Sequence, residues 1–356
     1  MLDLPFGDIS GRIFVSDDNS RIALLNRARA SYEIYEPIDV NTSSQGTLLV
    51  QIRGGDLRNL QAMSGDGRYA FVTDNKENID PDRYSVDDPG TAERYRVAFA
   101  IDVDNDRLQP LDVFEGSTVI LGGNSYPLAS DNDVVYFASY RPSMGKGEVQ
   151  DDWVIYAHDL ASGLVVDEYI PPDSSCGVPN NSSYSQERGT LVYPCNGTIY
   201  EMTPDGVFTT TVPDRPVTLF STFVEGNKIW GTAFGDVVRI GGYSVELDTG
   251  VTELLTPEGS EGDLFSVTDD FRYVLYYTLD SVTGDDVDTV DPGYDSYVCR
   301  AGEGASSCVL LEPDVVETGF EISWHIFEPG DRIFGSQSIV DNPLYVPAAT
   351  AAAAPD

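Results

Sequence analysis

A short polar turn followed by an apolar strand recurs seven times along this chain of 356 residues. The clearest copies read SDDNSR at residues 16–21 and SGDGR at residues 64–68. The seven copies begin at positions 16, 64, 130, 185, 224, 268 and 328. Repeats of roughly 40–50 residues that each hold several short strands are typical of a β-propeller.

The repeats predict an all-β fold, a seven-bladed β-propeller with four-stranded antiparallel blades. The predicted blades cover residues 11–52, 57–116, 124–171, 175–213, 216–257, 263–312 and 320 onward. The last blade offers three strands, so we expect residues 2–9 to pair with it and close the ring, which removes an unpaired sheet edge. Residues 1–347 are therefore predicted to form a single domain, and the Ala- and Pro-rich residues 348–356 a tail or linker.

The charge of the chain excludes several classes of partner. Asp and Glu total 59 against 21 Lys and Arg, which gives a formal net charge of −38. Such a field repels the phosphates of nucleic acids and the surface of anionic membranes. No apolar run approaches the length that a membrane-spanning helix needs, so no membrane insertion is expected. The acidic surface suits salty or extracellular conditions, and some of it can also bind divalent cations.

Four cysteines indicate an oxidising compartment. Four cysteines allow three pairings, and the blade frame selects Cys176–Cys195 and Cys299–Cys308, each local to one blade. Neither pair has the C-x-x-C spacing of zinc or redox sites. Because disulfides persist in oxidising compartments, we expect an extracellular or periplasmic protein whose leader has been removed.

The turn motif also resembles that of a known family. The SGDGR motif enters an apolar strand, and Ile101 and Asp102 close a later strand before a hairpin. This pattern resembles the repeat of TolB-like and WD-repeat-like β-propellers, in which SPDG followed by Lys or Arg enters the second strand of a blade. The Ser-led copies in this chain lack the Pro. The family includes periplasmic interaction modules and domains attached to peptidases and lyases, so the resemblance implies binding more often than catalysis.

Three connections between the second and third strands of a blade are long. They cover about residues 74–94, 141–152 and 280–296, whereas the turns from the first to the second strand and from the third to the fourth are predicted to be short throughout. In a propeller these connections share one face, and long loops on a rigid scaffold often carry function. A tolerated insertion is the alternative, because loop length costs little stability. The exposed anchors predicted on this face are Arg83, Tyr84, Tyr140, Arg141 and Tyr294.

The loop of the sixth blade is rich in carboxylates, and calcium is the one cofactor that the sequence suggests. The candidate ligands are Asp285, Asp286, Asp288, Asp291 and Asp295. Ca²⁺ accepts six to eight oxygen ligands, so it would neutralise such a cluster, while a solvated acidic loop is the alternative. Residues 102–106 also look like a calcium loop, but they lack its Gly and Glu and are predicted to form a hairpin turn.

Evidence for catalysis is thin. The chain has two histidines; His158 is expected to pack or to point to solvent at a blade edge, and His325 to lie near the central channel. No nucleophile elbow, zinc-protease motif or phosphate loop occurs. We therefore predict a secreted, non-enzymatic propeller that binds a protein or glycan or serves as an assembly module. The alternative is a secreted hydrolase or polysaccharide lyase with a divalent-ion-assisted site at the channel mouth. The oligomeric state and the identity of the ligand remain open.

Overall fold

The computed structural model describes a series of β-strands and the short turns that join them. The described residues are 14–16, 20–26, 31–36, 47–53, 59–75, 96–113, 125–139, 153–173, 182–234, 239–259, 262–268, 270–278, 294–315, 325–328, 332–335 and 346–347. Within these ranges the one helical element is a 3-10 turn at Ala305–Ser307. None of these residues form a helix long and apolar enough to cross a membrane.

The chain divides into two compact units. The first comprises Gly11–Pro37 and Gly46–Asn180, and the second Met1–Ser10, Ile38–Gln45 and Asn181–Asp356. The described residues of the first unit form three sheets. Sheet 1 holds β1 (Phe14–Val15), β2 (Ile22–Asn26), β3 (Ser31–Glu36) and β4 (Thr47–Arg53); sheet 2 holds β5 (Asn59–Met63), β6 (Tyr69–Asn75), β7 (Arg96–Asp102) and β8 (Arg107–Pro110); sheet 3 holds β9 (Ser125–Ser130), β10 (Val134–Ser139), β11 (Val154–Asp159) and β12 (Leu164–Tyr169).

The described residues of the second unit form four sheets. Sheet 4 holds β13 (Ser183–Ser185), β14 (Thr190–Cys195), β15 (Thr198–Met202) and β16 (Phe208–Thr211); sheet 5 holds β17 (Thr218–Glu225), β18 (Lys228–Phe234), β19 (Arg239–Glu246) and β20 (Thr252–Leu254). Sheet 6 holds β21 (Gly262–Val267), β22 (Tyr273–Thr278), β23 (Tyr294–Arg300) and β24 (Val309–Val315); sheet 7 holds β25 (His325–Glu328), β26 (Arg332–Gly335) and β27 (Val346–Pro347).

Every sheet is an antiparallel meander whose strands follow chain order, and we call these strands A to D. The prediction of an all-β fold made of four-stranded antiparallel sheets is confirmed for sheets 1 to 6, and sheet 7 shows three strands among the residues described. The predicted closing strand at residues 2–9 and the tail at 348–356 lie outside the described residues. Closure of the ring and the single domain therefore stay predictions.

Consecutive sheets within each unit pack through apolar side chains. Successive residues of a strand point to opposite faces of a sheet. Phe71 of β6 accordingly packs with sheet 3, in a cluster that includes Phe137 and Tyr156, whereas Val72 packs with sheet 1. Sheets 4 and 5 share a third cluster of this kind, and sheets 5 and 6 a fourth. The alternation thus gives sheets 2 and 5 two apolar faces each, one for each neighbour in the unit.

The recurring turn has a local physical cause. Ser64 precedes strand B of sheet 2, and its backbone N–H donates to the carbonyl of Tyr69 at 2.8 Å. Its hydroxyl accepts from the Tyr69 N–H at 2.9 Å and donates to Asp66 at 2.7 Å. Thr268 makes the same bonds with Tyr273 and Asp270 in sheet 6. A Ser or Thr at this position therefore closes the turn by itself, which explains the repeat in the sequence.

Gly67 is required in the turn of sheet 2 for two reasons. Its φ is +68°, and a Cβ there would lie 2.5 Å from Cγ of Arg21 and 3.0 Å from Cβ of Ser16. We expect Gly67→Ala to lower the free energy of unfolding by about 3 kcal/mol, from the strained φ plus the clash. Gly197→Ala is the matched control, because φ is +76° there and no atom lies within 4 Å of the added Cβ.

The Gly197 control should lose only about 1 kcal/mol, since it has the strained φ without the clash. Chemical denaturation of both variants measures the difference. If both variants lost the same free energy of unfolding, the contact of the added Cβ with Arg21 would not be destabilising.

The hairpin between strands C and D is also built by local bonds. The residue after strand C donates its N–H to a carbonyl of the A–B turn in four sheets: Val103 to Arg68, Leu160 to Asp133, Leu247 to Asn227, and Ala301 to Arg272. Residues 102–106 form the predicted hairpin turn, in which Asp102 accepts from the side chain of Asn105 at 2.8 Å. Residues 37–46, between β3 and β4 of sheet 1, lie outside the described residues, so the short C–D turn expected there stays a prediction.

One predicted disulfide is confirmed. Cys299 of β23 is bonded to Cys308, which directly precedes β24. Val298 faces Val309 in the ladder between these strands, so the two cysteines meet where the hairpin opens. Cys195 is also disulfide-bonded, but Cys176 lies outside the described residues, so the Cys176–Cys195 pair stays a prediction.

Candidate binding edge

The B–C edge is the edge of a sheet at which strand B passes to strand C. The connection at this edge covers positions 76–95 in sheet 2, 140–153 in sheet 3 and 279–293 in sheet 6. It is much shorter in sheet 1, at 27–30, in sheet 4, at 196–197, and in sheet 5, at 235–238, and it covers 336–345 in sheet 7. Between the strands that the structure describes, the three predicted connections are thus the longest of their kind.

The strands that carry these connections have a buried residue at their end or next to it. Asp74 of β6 exposes 1% of its surface, and Ser139 of β10 and Thr278 of β22 expose none. Each of these residues is paired with strand C in a regular ladder. The long connections therefore leave from rigid positions, as binding loops on a scaffold do.

The residues predicted to bind a partner fall mainly outside the described residues. Arg83 and Tyr84 belong to the connection after β6, and Tyr140 and Arg141 to the one after β10. Among the predicted calcium ligands, Asp285, Asp286, Asp288 and Asp291 lie outside the described residues as well. Their roles stay predictions.

Tyr294 and Asp295 are placed by the structure in a strand. We predicted a loop up to residue 296, but β23 begins at Tyr294, and Asp295 faces Thr278 across the ladder. The prediction was wrong at this boundary because aspartates are rare in strands, whereas pairing with the apolar β22 extends β23. Both residues thus lie at the B–C edge of sheet 6, at the base of the connection.

A buried carboxylate lies close to the B–C edge of sheet 1. Glu33 of β3 is fully buried and accepts hydrogen bonds from Tyr35 Oη at 2.6 Å, Gln51 Nε2 at 2.7 Å and Ser31 Oγ at 2.9 Å. Such bonds compensate for the loss of water around a charged group. The sequence analysis missed this cluster, although Glu33 between Tyr32 and Ile34 was a signal for it.

Sheets 1 and 2 are bridged by a second buried carboxylate. Tyr32 Oη lies 3.2 Å from Oδ2 of Asp74 and 3.3 Å from the carbonyl of Thr73, and it donates to this pair. Asp74 is followed, after Asn75, by the long connection of sheet 2. Two buried acids therefore support the B–C edge of the first unit, and Asp74 lies beside its longest connection.

Two buried hydroxyls lie at the same edge between sheets 2 and 3. Thr73 faces Ala98 across the ladder of sheet 2, and Ser139 faces Ser125 across the ladder of sheet 3. The N–H of Ala98 donates to Ser125 Oγ at 2.8 Å and so joins the two sheets at this point. Thr73 Oγ1 and Ser139 Oγ have no hydrogen-bond partner in the part of the chain that the structure describes. Such groups are few in folded proteins, and here they lie beneath two long connections.

The opposite edge, which carries the A–B and C–D turns, is tied together by ion pairs. Arg188 in the A–B turn of sheet 4 forms a bidentate pair with Glu201, at 2.8 and 3.0 Å. Its Nη1 also donates to Asn227 at 2.7 Å and to Asp248 at 2.9 Å, both in sheet 5. The bonds to Glu201 raise the pKa of the Arg188 guanidinium. Arg21 reaches Asp104 of the next sheet in the same way, at 3.0 Å.

His158 has a structural environment. It is fully buried in strand C of sheet 3, with Nδ1 2.6 Å from the carbonyl oxygen of Leu111 and Nε2 3.0 Å from Nε2 of Gln109. Nδ1–H donates to that carbonyl in the neutral ring, and Nε2 accepts from the amide. Burial lowers the pKa of His158 to about 4. The prediction that it packs is confirmed, and it is not placed to act as a base on a substrate. The side chain of His325 lies outside what the structure describes.

The comparisons with known proteins agree on the architecture. No protein-family model matches the sequence, and no curated protein matches it. Among solved structures, hydrazine synthase of Kuenenia stuttgartiensis is similar, with 11% identity and a TM-score of 0.57 over 97% of each chain. The β-propeller domain of the trilobed protease of Pyrococcus furiosus, which has an open Velcro topology, gives 11% identity and a TM-score of 0.51 over 88% of this chain and 84% of that domain.

Dipeptidyl peptidase 4 of Porphyromonas gingivalis is similar as well. It has 13% identity and a TM-score of 0.50, over 98% of this chain and 61% of the peptidase. Identities this low show the fold alone. Together with the meander sheets, they show that this chain has the architecture of a β-propeller.

Proposed function

We propose that this chain is a non-enzymatic binding module that holds a protein or a glycan at its B–C edge. The observation that supports this function best is the position of the three longest B–C connections between described strands, each of which leaves a laddered strand with a buried residue at its end or next to it. On the opposite edge, Arg21, Arg188 and Lys228 are engaged in ion pairs within the chain. The aromatic and Arg residues in the long connections are suited to anchor a partner.

The proposal includes a secreted or periplasmic location. The Cys299–Cys308 disulfide supports it, because such bonds persist in oxidising compartments. The net charge of −38 keeps such a protein soluble and makes an acidic polymer an unfavourable ligand. We therefore place neutral or basic glycans and proteins first among the ligands.

The proposal is tested by binding to an array of defined oligosaccharides and to a panel of purified basic and neutral proteins. The wild-type chain should bind at least one component. The variants Tyr84→Ala and Arg141→Ala should each weaken that binding by at least about tenfold, the effect of losing one anchor. Thermal unfolding should be unchanged, since neither residue belongs to a strand that the structure describes.

Arg300→Ala is the matched control. Arg300 is exposed and lies at the end of strand C, on the opposite edge of sheet 6. Its removal should leave binding intact. If all three variants bind equally well, the long connections are tolerated insertions and the proposal fails.

Calcium binding by the connection of sheet 6 is a separate part of the proposal. Carboxylate oxygens are the ligands that Ca²⁺ prefers, and the connection holds five aspartates, among them the predicted ligands Asp285, Asp286, Asp288 and Asp291. Added Ca²⁺ should raise the melting temperature of the wild-type chain, because a ligand that binds only the folded state stabilises it. The double variant Asp286→Asn with Asp288→Asn should lose this rise. An equal rise in both proteins would place the ion elsewhere.

A further inference from the structure

One aromatic side chain is exposed at the B–C edge of sheet 5. Phe220 of β17 exposes 40% of its surface, which is more than any other aromatic side chain that the structure describes. Phe220 faces Thr232 across the ladder, and Thr232 lies two residues before β18 ends at Phe234. Phe220 therefore lies on strand A at the same edge of its sheet from which the long connections leave sheets 2, 3 and 6.

The position of the Phe220 ring is fixed by its neighbours. Phe234 packs nearly perpendicular to it, with the ring centroids 4.8 Å apart and an interplanar angle of 70°. Directly after Phe220 the register of β17 shifts. Gly231 accommodates this shift, because a Cβ there would lie 2.6 Å from the carbonyl oxygen of Phe220. A bulge of this kind re-aims the side chains around it. The ring is thus held by the sheet while part of it stays open to solvent.

The surroundings of Phe220 are acidic. The N–H of Leu264 in β21 donates to Thr232 Oγ1 at 2.8 Å, so strand A of sheet 6 lies beside the ladder partner of Phe220. Asp263 directly precedes Leu264 and is half-buried. The connection of sheet 6 begins after Thr278 at the same edge, and it holds five aspartates and no Lys or Arg. The B–C edge of sheets 5 and 6 therefore combines an exposed aromatic ring with negative charge.

We propose that Phe220 receives a cationic side chain, Arg or Lys, of a protein partner. This inference rests on the proposed function, and it selects a basic protein rather than a glycan as the ligand of the B–C edge. The negative face of an aromatic ring attracts a cation, and aspartates at the same edge attract the same charge. The net charge of −38 draws a basic partner toward the chain and repels an acidic one.

The test is isothermal titration calorimetry of the full chain with a short peptide that carries two arginines, at about 50 mM salt, where charges are weakly screened. The same peptide with citrulline, the neutral analogue of arginine, is the control for charge. The wild-type chain should bind the arginine peptide and not the citrulline peptide. Phe220→Leu keeps an apolar side chain but removes the aromatic ring. It should weaken binding about two- to fivefold, which is the contribution of one exposed cation–π contact.

Phe220→Trp should bind the arginine peptide at least as tightly as the wild type, because Trp is the best aromatic partner of a cation. Phe208→Leu is the matched control for the loss of a ring. Phe208 is half-buried at the start of β16, where it faces Met202 at the C–D edge of sheet 4. Its replacement should leave binding unchanged. The melting temperature of each variant shows whether it is folded.

The inference is wrong if the wild-type chain does not bind the arginine peptide, if Phe220→Leu binds it equally well, or if Phe220→Trp binds it less tightly. If Phe220→Leu weakens binding to an oligosaccharide but not to the peptide, the ring holds a sugar, which also overturns the inference. The variants Tyr84→Ala and Arg141→Ala test the proposed function separately. If they lose binding to a partner that Phe220→Leu still binds fully, the proposed function stands and this inference alone fails.

Discussion

Lowering the pH from 6.5 to 5 is expected to reduce the free energy of unfolding by about 2 kcal/mol through His158 alone. The pKa of this residue is about 4 in the folded chain and 6.5 when it is exposed. Between these values the unfolded chain binds a proton that the folded chain does not, so stability falls as the pH falls. The full loss, reached below pH 4, is about 3 kcal/mol at about 1.36 kcal/mol per pKa unit.

The geometry around His158 explains why it resists protonation. The ring is enclosed between sheets 2 and 3, where Leu111 supplies an acceptor for Nδ1 and the Gln109 amide donates to Nε2. A protonated ring would carry an N–H donor on each nitrogen. The donor on Nε2 would then face the amide donor of Gln109, and the hydrogen bond between them would be lost. Burial adds the cost of placing a charge away from water.

The measurement is chemical denaturation at several pH values between 5 and 7, a window that lies above the titration of most carboxylates. His158→Asn keeps a donor for the carbonyl of Leu111 and cannot take up a proton. We expect this variant to be less stable at pH 7 and its stability to depend less on pH than that of the wild type. If the free energy of unfolding changed equally with pH in both proteins, His158 would not be the source of the pH dependence.

Replacing Arg188 by Met is expected to cost about 2–3 kcal/mol of folding stability. The exposed fraction of the Glu201 side chain is 7%, and removal of its bidentate partner leaves a nearly buried carboxylate whose remaining described partner is Thr190, at 3.1 Å. Loss of one member of a buried pair is far more costly than the pair itself is stabilising. The bonds from Arg188 to Asn227 and Asp248, which join sheet 4 to sheet 5, are lost as well.

Arg21→Met is the matched control, because Arg21 occupies the corresponding turn of sheet 1. Its partner Asp104 exposes 49% of its side chain, so the control should cost less than about 1 kcal/mol. Adding Glu201→Met to Arg188→Met should recover part of the loss, since the unpaired charge is then removed. If both single variants lose the same stability, burial of Glu201 is not the cause of the effect.

The parts of the fold that were predictable from the sequence depend on contacts between residues close in the chain. The Ser64 and Thr268 turns are closed by bonds to Tyr69 and Tyr273 in the strand that follows, and the Cys299–Cys308 disulfide lies within one hairpin. The turns and the disulfide each correspond to a short sequence pattern that lies within one repeat. The antiparallel sheets follow, because short turns join consecutive strands.

The polar contacts between sheets were not predictable in the same way. Tyr32 and Asp74 are separated by 42 positions, and Gln109 and His158 by 49. Alternation shows that a side chain is buried, but it does not show which residue of the next sheet it meets. The candidate ligand-binding residues of the long connections remain sequence predictions, because no repeat constrains a loop.

The order in which the sheets pack has a consequence for how the chain folds. Within each unit the apolar clusters join a sheet to the one that follows it in the sequence. Such an array behaves as a one-dimensional chain of neighbours, in which a formed sheet is a template for the next. The strands that pair within each sheet are neighbours in the chain. Each pairing therefore closes a short loop, and the chain loses its entropy in small steps as the sheets form. Folding can start at any sheet and spread along its unit in either direction.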